Sequence, residues 1–217
     1  MIADLSKYKH IIWDWNGTIL NDLDMCVKII NELLEQHKMS TITTEYYKDV
    51  FTIPVENYYK AIGFDFDKKS FAVIGKEWMD EYERRKYNDA SIHPDVKKII
   101  TGIHQNGQSQ SILSAYMQHT LEELVEHYNL SNYFDYLVGA GDIYAYGKVE
   151  QGKMLMQKLG LQKGESILIG DTIHDYEVAQ AIGADCLLTA EGHQSYERLA
   201  STGCKVIHSL KELVNRN

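Results

Sequence analysis

The sequence predicts an α/β protein built on a parallel sheet, and two patterns support this. Short apolar runs recur along most of the chain, and each is followed by a stretch with helical periodicity, which is typical of a parallel sheet. Between about residues 21 and 90 this alternation stops, and helical segments follow one another. The predicted fold is therefore a three-layer, Rossmann-like parallel sheet core with an inserted all-helical cap domain.

Six apolar runs are the predicted strands. They are short and rich in Ile, Leu and Val, as strands buried on both faces are. In chain order they are His10 to Trp13, Gln110 to Leu113, Tyr136 to Val138, Ser166 to Ile169, Cys186 to Leu188 and Lys205 to Ile207. The segments between them carry apolar residues at helical spacing, which we interpret as core.

Four consecutive helices are predicted in the insertion: Leu23 to Glu35, Thr44 to Val50, Val55 to Ile62, and Lys69 to Tyr87. We interpret their many aromatic residues as the core of a small cap rather than a surface that stacks bases. The predicted boundaries are a hydrolase core of residues 1–20 and 91–217 and a cap of residues 21–90. Residues 51–54, Phe-Thr-Ile-Pro, break the helical pattern and are the candidate for a loop that faces the substrate.

The charge and cysteine content exclude some functions. The chain of 217 residues has 44% hydrophobic residues, enough for a buried core, and a net charge of −9 with scattered Lys and Arg. Nucleic-acid binding is therefore not expected, whereas a small anionic substrate is compatible if a metal ion supplies positive charge. The three cysteines show no CxxC spacing, and neither a signal-peptide core nor a membrane span is recognisable. We expect a cytoplasmic protein without a membrane partner.

Polar residues follow the predicted strands at one edge of the sheet. In an open parallel sheet, ligands bind beyond the carboxyl ends of the strands. The residues found there are Asp14, Ser114, Lys148, Asp171 and Asp175. Carboxylates gathered in one place repel each other unless a cation lies between them, and hard oxygen ligands suit Mg²⁺. The pattern predicts a phosphate and metal site.

Each of these residues also has a structural interpretation. Asp14 could belong to a hairpin turn, because an Asn-Gly pair follows closely. Ser114 could cap a helix, and Lys148 could be a solvated surface lysine. The two later carboxylates could cap the helix that follows them. Their joint order along the chain favours the shared site.

Four segments carry a resemblance to a known family. Residues 14–20, Asp-Trp-Asn-Gly-Thr-Ile-Leu, are similar to the pattern DxDGTL, and residues 168–175, Leu-Ile-Gly-Asp-Thr-Ile-His-Asp, to a GDxxxD motif. Residues 112–115 and the pair Gly147-Lys148 stand where that family has its second and third motifs. With these segments the chain resembles the haloacid dehalogenase-like hydrolase superfamily, in the phosphoglycolate phosphatase-like branch with a helical cap.

The resemblance implies a magnesium-dependent phosphatase that acts on a small phosphorylated metabolite as a monomer or homodimer. Asp14 would attack phosphorus and become an aspartyl phosphate. The residues that would bind the phosphate are Ser114, Ala115, Lys148, Gly17 and Thr18. The residues that would hold Mg²⁺ are Asp14, the main-chain carbonyl of Asn16, Asp171 and Asp175.

The chain departs from the family pattern at Asn16. The family has an aspartate there that protonates the leaving group and later activates water, and Asn cannot exchange a proton near pH 7. Such catalysis is worth about 10²–10⁴-fold. Three interpretations stay open: a slow phosphatase, a phosphonatase-like carbon–phosphorus hydrolase that uses Lys48 or Lys60 of the cap, and a phosphometabolite- or partner-binding module.

Two histidines lie close to the predicted site in the sequence. His174, inside the fourth motif, is a hypothetical proton relay because its imidazole could titrate near neutrality. A solvent-facing or capping role on the first turn of its helix is the alternative. His193 lies beyond a predicted strand end, where it could border the same cleft, although a structural role is favoured.

Overall fold

A computed structural model describes residues 4–141 and 147–214, and its centre is a six-stranded parallel sheet. The strands in chain order are β1 (His10–Trp13), β2 (Leu20–Asn21), β3 (Ser91–Ile92), β4 (Ser109–Met117), β5 (Tyr136–Ala140), β6 (Ser166–Gly170), β7 (Asp185–Thr189) and β8 (Lys205–Ile207). The sheet has the order β5-β4-β1-β6-β7-β8, while β2 and β3 form a separate pair. All six predicted strands belong to this sheet, which confirms the predicted fold class.

Helices cover both faces of the sheet. In chain order they are α1 (Leu23–Gln36), α2 (Thr44–Val50), α3 (Val55–Ala61), α4 (Phe71–Arg85), α5 (Val96–Gln105), α6 (Gln118–His127), α7 (Lys148–Leu159), α8 (Ile173–Ile182) and α9 (Tyr196–Ala200). Short 3-10 helices span Leu5–Lys7, Ser131–Tyr133 and Leu210–Leu213. No helix in the described parts of the chain is long and apolar enough to cross a membrane.

The central strand β1 illustrates the three layers. Successive side chains of a strand point to opposite faces. Ile12 packs with residues of α7 and α8 in one apolar cluster, whereas Ile11 and Trp13 belong to the larger cluster on the opposite face. All three side chains are fully buried, so β1 lies in the middle of the core.

The helices α1 to α4 lie between β2 and β3. Residues 20–92 are all described, and no strand lies between these two short ones. Helix α1 buries one face, including Ile29, Ile30 and Leu33, and contacts both α2 and α4. The pair β2–β3 is antiparallel, with Leu20 opposite Ile92 and Asn21 opposite Ser91. The chain therefore enters and leaves the helical segment at adjacent points.

Buried polar groups tie β1 to its neighbour β4. His10 contacts two serine hydroxyls, with Nδ1 2.5 Å from Ser109 and Nε2 2.9 Å from Ser111. The indole N–H of Trp13 donates to the side chain of Gln110 at 3.1 Å. Burial lowers the pKa of His10 to about 4, so the neutral imidazole is the form that the fold accommodates.

Candidate active site

Asp14 directly follows the central strand. Its backbone N–H donates to the carbonyl of Ile169 at 2.8 Å, which continues the pairing of β1 with β6 by one residue. Asp171 follows β6, so the carboxylates of Asp14 and Asp171 reach the same edge of the sheet. Both side chains are buried. Parallel strand ends thus bring together residues that are far apart in the sequence.

Lys148 joins two of the carboxylates. It is the first residue of α7, and its Nζ lies 2.5 Å from Asp14 Oδ1 and 2.6 Å from Asp175 Oδ1. Burial alone would lower the pKa of Lys148, but the charges of Asp14 and Asp175 outweigh it and raise the pKa above its usual value. The amine is a buried cation, and the interpretation as a solvated surface lysine is wrong because only 3% of the residue is exposed.

Asp175 also caps the helix on which it lies. Its Oδ2 accepts hydrogen bonds from the hydroxyl of Thr172 at 2.7 Å and from the backbone N–H of Thr172 at 3.0 Å. These two residues form a capping box at the start of α8. Burial opposes ionisation of Asp175, yet Lys148 and the Thr172 hydrogen bonds hold its pKa below the usual value. Asp175 is therefore held as a carboxylate.

Asp171 is enclosed by backbone. Its Oδ1 accepts from the hydroxyl of Thr18 at 3.0 Å, and its Oδ2 accepts from the backbone N–H of His193 at 2.7 Å. A Cβ atom at Gly17 or Gly192 would overlap this carboxylate, so both positions require glycine. Burial raises the pKa of Asp171 to about 6, despite the opposing charge of His193.

The donor set fits a divalent cation. Asp14, Asp171 and Asp175 each offer an oxygen atom, and these atoms lie within 4.8 Å of one another. Among the described residues, four buried carboxylates surround two buried cations here; the six residues are Asp14, Asp22, Asp171, Asp175, Lys148 and His193. Burial raises the pKa of Asp14 well above its usual value, and the neighbouring carboxylates add to the effect. The cluster lacks positive charge, which Mg²⁺ would supply.

Ser114 and Ala115 lie where β4 becomes irregular. Regular pairing with β5 ends at Leu113, and the register shifts before Met117. Ser114 therefore lies within the strand rather than after its end, and its hydroxyl oxygen accepts a hydrogen bond from the backbone N–H of Tyr116 at 3.0 Å. Both Ser114 and Ala115 line the cavity that contains Asp14.

A second polar network adjoins the first and was not predicted. The amide Nδ2 of Asn16 donates to Asp22 Oδ2 at 2.9 Å and to the hydroxyl of Tyr82 at 2.7 Å, and Tyr82 itself donates to Asp22 at 2.7 Å. His193 Nε2 lies 3.2 Å from Asp22 Oδ1, and its Nδ1 lies 3.1 Å from the hydroxyl of Tyr47. A buried carboxylate thus occupies the immediate neighbourhood of Asn16.

The Asp22–His193 contact is an ion pair. Burial opposes charge on both groups, but their mutual attraction raises the pKa of His193 to about 9 and lowers the pKa of Asp22. The sequence offered one signal for Asp22, an Asn-Asp pair before a helix, and this signal indicates only a helix cap. Asp22 is the N-cap residue of α1, but its side chain makes no capping hydrogen bond.

A cavity of about 180 Å³ connects the carboxylates with the helical segment. Polar residues at the strand ends form its base, and aromatic residues of α2, α3 and α4 form much of its wall. Phe51 and Ile53 of the predicted loop contribute to this wall. Tyr47, Phe51 and Tyr58 pack against one another, with ring centroids 5.2 to 5.3 Å apart.

Three further residues of the predicted site, Gly17, Thr18 and His174, are not among the described residues that line the cavity. Gly17 donates its N–H to the Leu20 carbonyl and to Asp22, and Thr18 binds Asp171, so phosphate binding by Gly17 and Thr18 stays a prediction. His174 lies 3.5 Å from Glu177, and its relay role likewise stays a prediction.

The two cap lysines considered for a carbon–phosphorus hydrolase are engaged elsewhere. Lys48 donates its amine to the carbonyl of Ala190 at 2.7 Å, and the exposed Lys60 pairs with Glu56 at 2.7 Å. Among the described residues that line the cavity, Lys148 is the only lysine. This arrangement does not favour chemistry that requires an imine-forming lysine beside the substrate.

Comparisons with known proteins agree with these observations. The model of the family described as haloacid dehalogenase-like hydrolase matches residues 11–189. A phosphoglycolate phosphatase of Aliivibrio fischeri is 21% identical over 208 residues, which covers 92% of this chain and 91% of the relative. One of Aquifex aeolicus is 24% identical over 193 residues, covering 84% and 85%. A haloacid dehalogenase-like hydrolase structure from Streptococcus pneumoniae has a TM-score of 0.81 at 16% identity, covering 96% and 98%.

Proposed function

The chain belongs to the haloacid dehalogenase-like hydrolase family, in its phosphoglycolate phosphatase-like branch, and on this premise we propose that it is a magnesium-dependent phosphatase with Asp14 as its nucleophile. One observation carries the proposal. Asp14 lies at the base of a cavity and is bound to Lys148. One of its carboxylate oxygens lies within 4.8 Å of an oxygen of Asp171 and of Asp175, close enough to share a cation. A nucleophile, a phosphate-neutralising amine and a cation site thus occupy one buried place, and the substrate is a small phosphorylated metabolite.

In the proposed reaction, a carboxylate oxygen of Asp14 forms a bond to phosphorus while the bond from phosphorus to the leaving oxygen breaks. The leaving oxygen keeps the electron pair. Water then attacks the aspartyl phosphate, which releases inorganic phosphate and restores the carboxylate. Lys148 would neutralise the phosphate oxygens, and Ser114 with the amide of Ala115 would orient them.

Asp14, Asp171 and the main-chain carbonyl of Asn16 would hold Mg²⁺, with Asp175 behind them. When bound, Mg²⁺ offsets the repulsion between the carboxylate and the phosphate. Asp175 already receives hydrogen bonds from Thr172 and Lys148, so we assign it to positioning Lys148 and to indirect contact with the ion.

We further propose that residues 21–90 act as a cap over a core of residues 1–20 and 91–217. The supporting contacts join α2 and its following loop to residues 190–198. Arg198 donates to the carbonyls of Lys48 at 3.0 Å and Phe51 at 2.7 Å, and Gln194 donates to Phe51 at 2.9 Å. A segment held in this way would exclude water during the first step.

The test is phosphate release from acetyl phosphate and from a panel of phosphomonoesters, with and without Mg²⁺. The wild type should release phosphate only with Mg²⁺, and Asp14→Asn should release at least about 10³-fold less. The phosphorylated intermediate, an aspartyl phosphate, should be visible by mass in the acid-quenched wild type. Binding of phosphate esters without any Asp14-dependent release would instead indicate a binding module.

A further inference from the structure

The wall of the cavity is apolar, which restricts what can lie beside the phosphate. The side chains that the helical segment contributes to this wall include Phe51, Ile53, Val55, Tyr58, Trp78 and Met79. Among the described lining residues the cations are Lys148, bound to two carboxylates, and His193, paired with Asp22. A second anionic group on the substrate, such as a carboxylate, would therefore be buried without a partner, which is unfavourable.

The cavity is of a size that suits a substrate with one ring. Its volume is about 180 Å³. A dry apolar cavity of about 150 Å³ in another protein holds one benzene molecule. Trp78 stacks on Tyr82 with centroids 5.1 Å apart, and Tyr58 meets Phe51 edge to face at 5.3 Å, so flat rings already form the wall. Such surfaces pack well against another aromatic ring.

Tyr58 adds one polar feature to this wall. The residue is 2% exposed, and its hydroxyl has no hydrogen-bond partner among the described residues. Leaving a buried hydroxyl unpaired is unfavourable, so a polar group on a bound ligand would stabilise the complex. The ligand that fits is a single ring with an uncharged polar substituent.

The chemistry around Asn16 points to the same class of compound by an independent route. Without an acid at position 16, the leaving oxygen departs unprotonated, so its conjugate acid must have a low pKa. Phenols have a pKa of about 10. An aliphatic alcohol is closer to water, at about 16. A phenolate is thus a leaving group that this site can expel, whereas an alkoxide is not.

We propose, on the basis of the phosphatase function above, that the substrate is the phosphate monoester of a small uncharged phenol. The bond from Asp14 to phosphorus forms as the bond from phosphorus to the aryl oxygen breaks. The phenolate leaves with the electron pair and takes a proton from solvent. Hydrolysis of the aspartyl phosphate by water then yields inorganic phosphate and a proton.

Four compounds separate the contribution of the ring from that of the leaving group: phenyl phosphate, benzyl phosphate, acetyl phosphate and phosphoglycolate. Benzyl phosphate has the ring without the phenolic oxygen, and acetyl phosphate has a good leaving group without the ring. With Mg²⁺, we expect a low KM for both aromatic esters and a high kcat for phenyl and acetyl phosphate. Phenyl phosphate should exceed phosphoglycolate at least about 100-fold in kcat/KM.

Two variants test the wall directly. Met79→Arg supplies a cation and should shift the ratio of kcat/KM toward phosphoglycolate at least about tenfold. The wild type should prefer hydroxyphenyl phosphate to phenyl phosphate because the ring hydroxyl can pair with Tyr58, and Tyr58→Phe should remove this preference. Tyr46→Phe, at an exposed position outside the cavity, is the control and should change neither ratio.

The outcomes distinguish this inference from the phosphatase function on which it rests. If phosphoglycolate is the better substrate while acetyl phosphate is hydrolysed in an Asp14-dependent way, the phosphatase function stands and the phenolic substrate class is wrong. If none of the four compounds is hydrolysed, both proposals are overturned.

Discussion

The side-chain amide of Asn16 donates a hydrogen bond of 2.9 Å to the carboxylate of Asp22. Tyr82 contacts both groups, and all three side chains lie beside the cavity. An aspartate at position 16 would place a second carboxylate against Asp22 where burial already opposes charge. The neighbouring Asp22 therefore gives a physical reason for Asn where the family motif has Asp.

Asn16→Asp should destabilise the protein. One hydrogen bond is replaced by a contact between two carboxyl groups, so we expect the free energy of unfolding at pH 7 to fall by about 2–3 kcal/mol. The double variant Asn16→Asp/Asp22→Asn restores a donor and an acceptor at this contact. Asp22→Asn also breaks the ion pair with His193, so the double variant stays less stable than the wild type, but its loss should be smaller than the sum of the two single losses. Urea denaturation of the wild type, the two single variants and the double variant measures the coupling energy between positions 16 and 22. Additive effects of the two substitutions would contradict the expected contact.

The same double variant should change catalysis. With Asp at position 16 and no opposing carboxylate, an acid is available to the leaving oxygen. We expect kcat for benzyl phosphate to rise about 10²-fold and kcat for acetyl phosphate, which needs no acid, to change little. Equal changes for both compounds would show that the effect does not arise from proton transfer.

Mg²⁺ should stabilise the folded protein without any substrate. At the site, the described carboxylates of Asp14, Asp22, Asp171 and Asp175 outnumber the cations Lys148 and His193. A ligand at about 100 times its Kd adds about 2.7 kcal/mol. Thermal denaturation in EDTA and in Mg²⁺ measures the effect, which Asp171→Asn should reduce strongly. Asp80→Asn, at an exposed ion pair with Lys76, is the matched control and should leave the Mg²⁺ response intact. An unchanged response in Asp171→Asn would exclude Asp171 as a ligand.

Lys148→Met should be strongly destabilising. It leaves Asp14 and Asp175 without their shared cation, and breaking a buried ion pair costs about 3–5 kcal/mol. Chemical denaturation measures this loss. Lys153→Met removes an exposed lysine paired with Glu150 and should change stability by less than about 0.5 kcal/mol. Similar losses in the two variants would contradict the burial of the Lys148 charge.

Stability should fall in mild acid because of His10. Unfolded histidine takes up a proton below about pH 6.5, whereas the pKa of His10 in the folded protein is about 4. The contribution of neutral His10 to the free energy of unfolding is therefore fully present above pH 6.5 and is lost as the pH falls from 6.5 to 4. At pH 5 the loss is about 2 kcal/mol. His10→Gln retains a polar side chain between the serines but does not titrate. Between pH 7 and 5 the His10→Gln variant should therefore lose about 2 kcal/mol less stability than the wild type. An equal loss in both proteins would show that His10 is not the cause.

Arg198 should hold the segment after α2 in place. Arg198→Ala removes two hydrogen bonds to the carbonyls of Lys48 and Phe51, so hydrogen exchange of residues 44–61 should accelerate about tenfold. Mass spectrometry of the exchanged peptides measures this. Arg84→Ala, at an exposed ion pair with Glu81, serves as the control. Unchanged exchange in Arg198→Ala would show that these bonds do not fasten the segment.

The sheet was predictable because its strands are buried on both faces and stand out as apolar runs. The four helices of the insertion were predictable from their periodicity, with ends displaced by at most two residues. The β2–β3 pair escaped prediction because two strands of two residues produce no hydrophobic pattern. The extension of β4 through Met117 also went unpredicted, since polar Ser114 within it suggested the end of the strand.

The residues at the strand ends were predictable from motifs, but their surroundings were not. The Asp22–His193 pair joins residues 171 positions apart. Nothing in either local sequence indicates the other, because Asp22 stands at an ordinary N-cap position and His193 lies in a short loop. The partner of a buried charge is decided by packing, which single-sequence patterns do not record.

The β2–β3 pair has a mechanical consequence. Both passages of the chain between the sheet and α1–α4 run through these two strands, and their backbones are hydrogen-bonded to each other. The N–H of His93 extends the ribbon by donating to the carbonyl of Ile19 at 3.0 Å. Two separate linkers could bend independently, whereas the strands of a paired ribbon bend together. We therefore expect any displacement of the helices relative to the sheet to bend this ribbon of four residues.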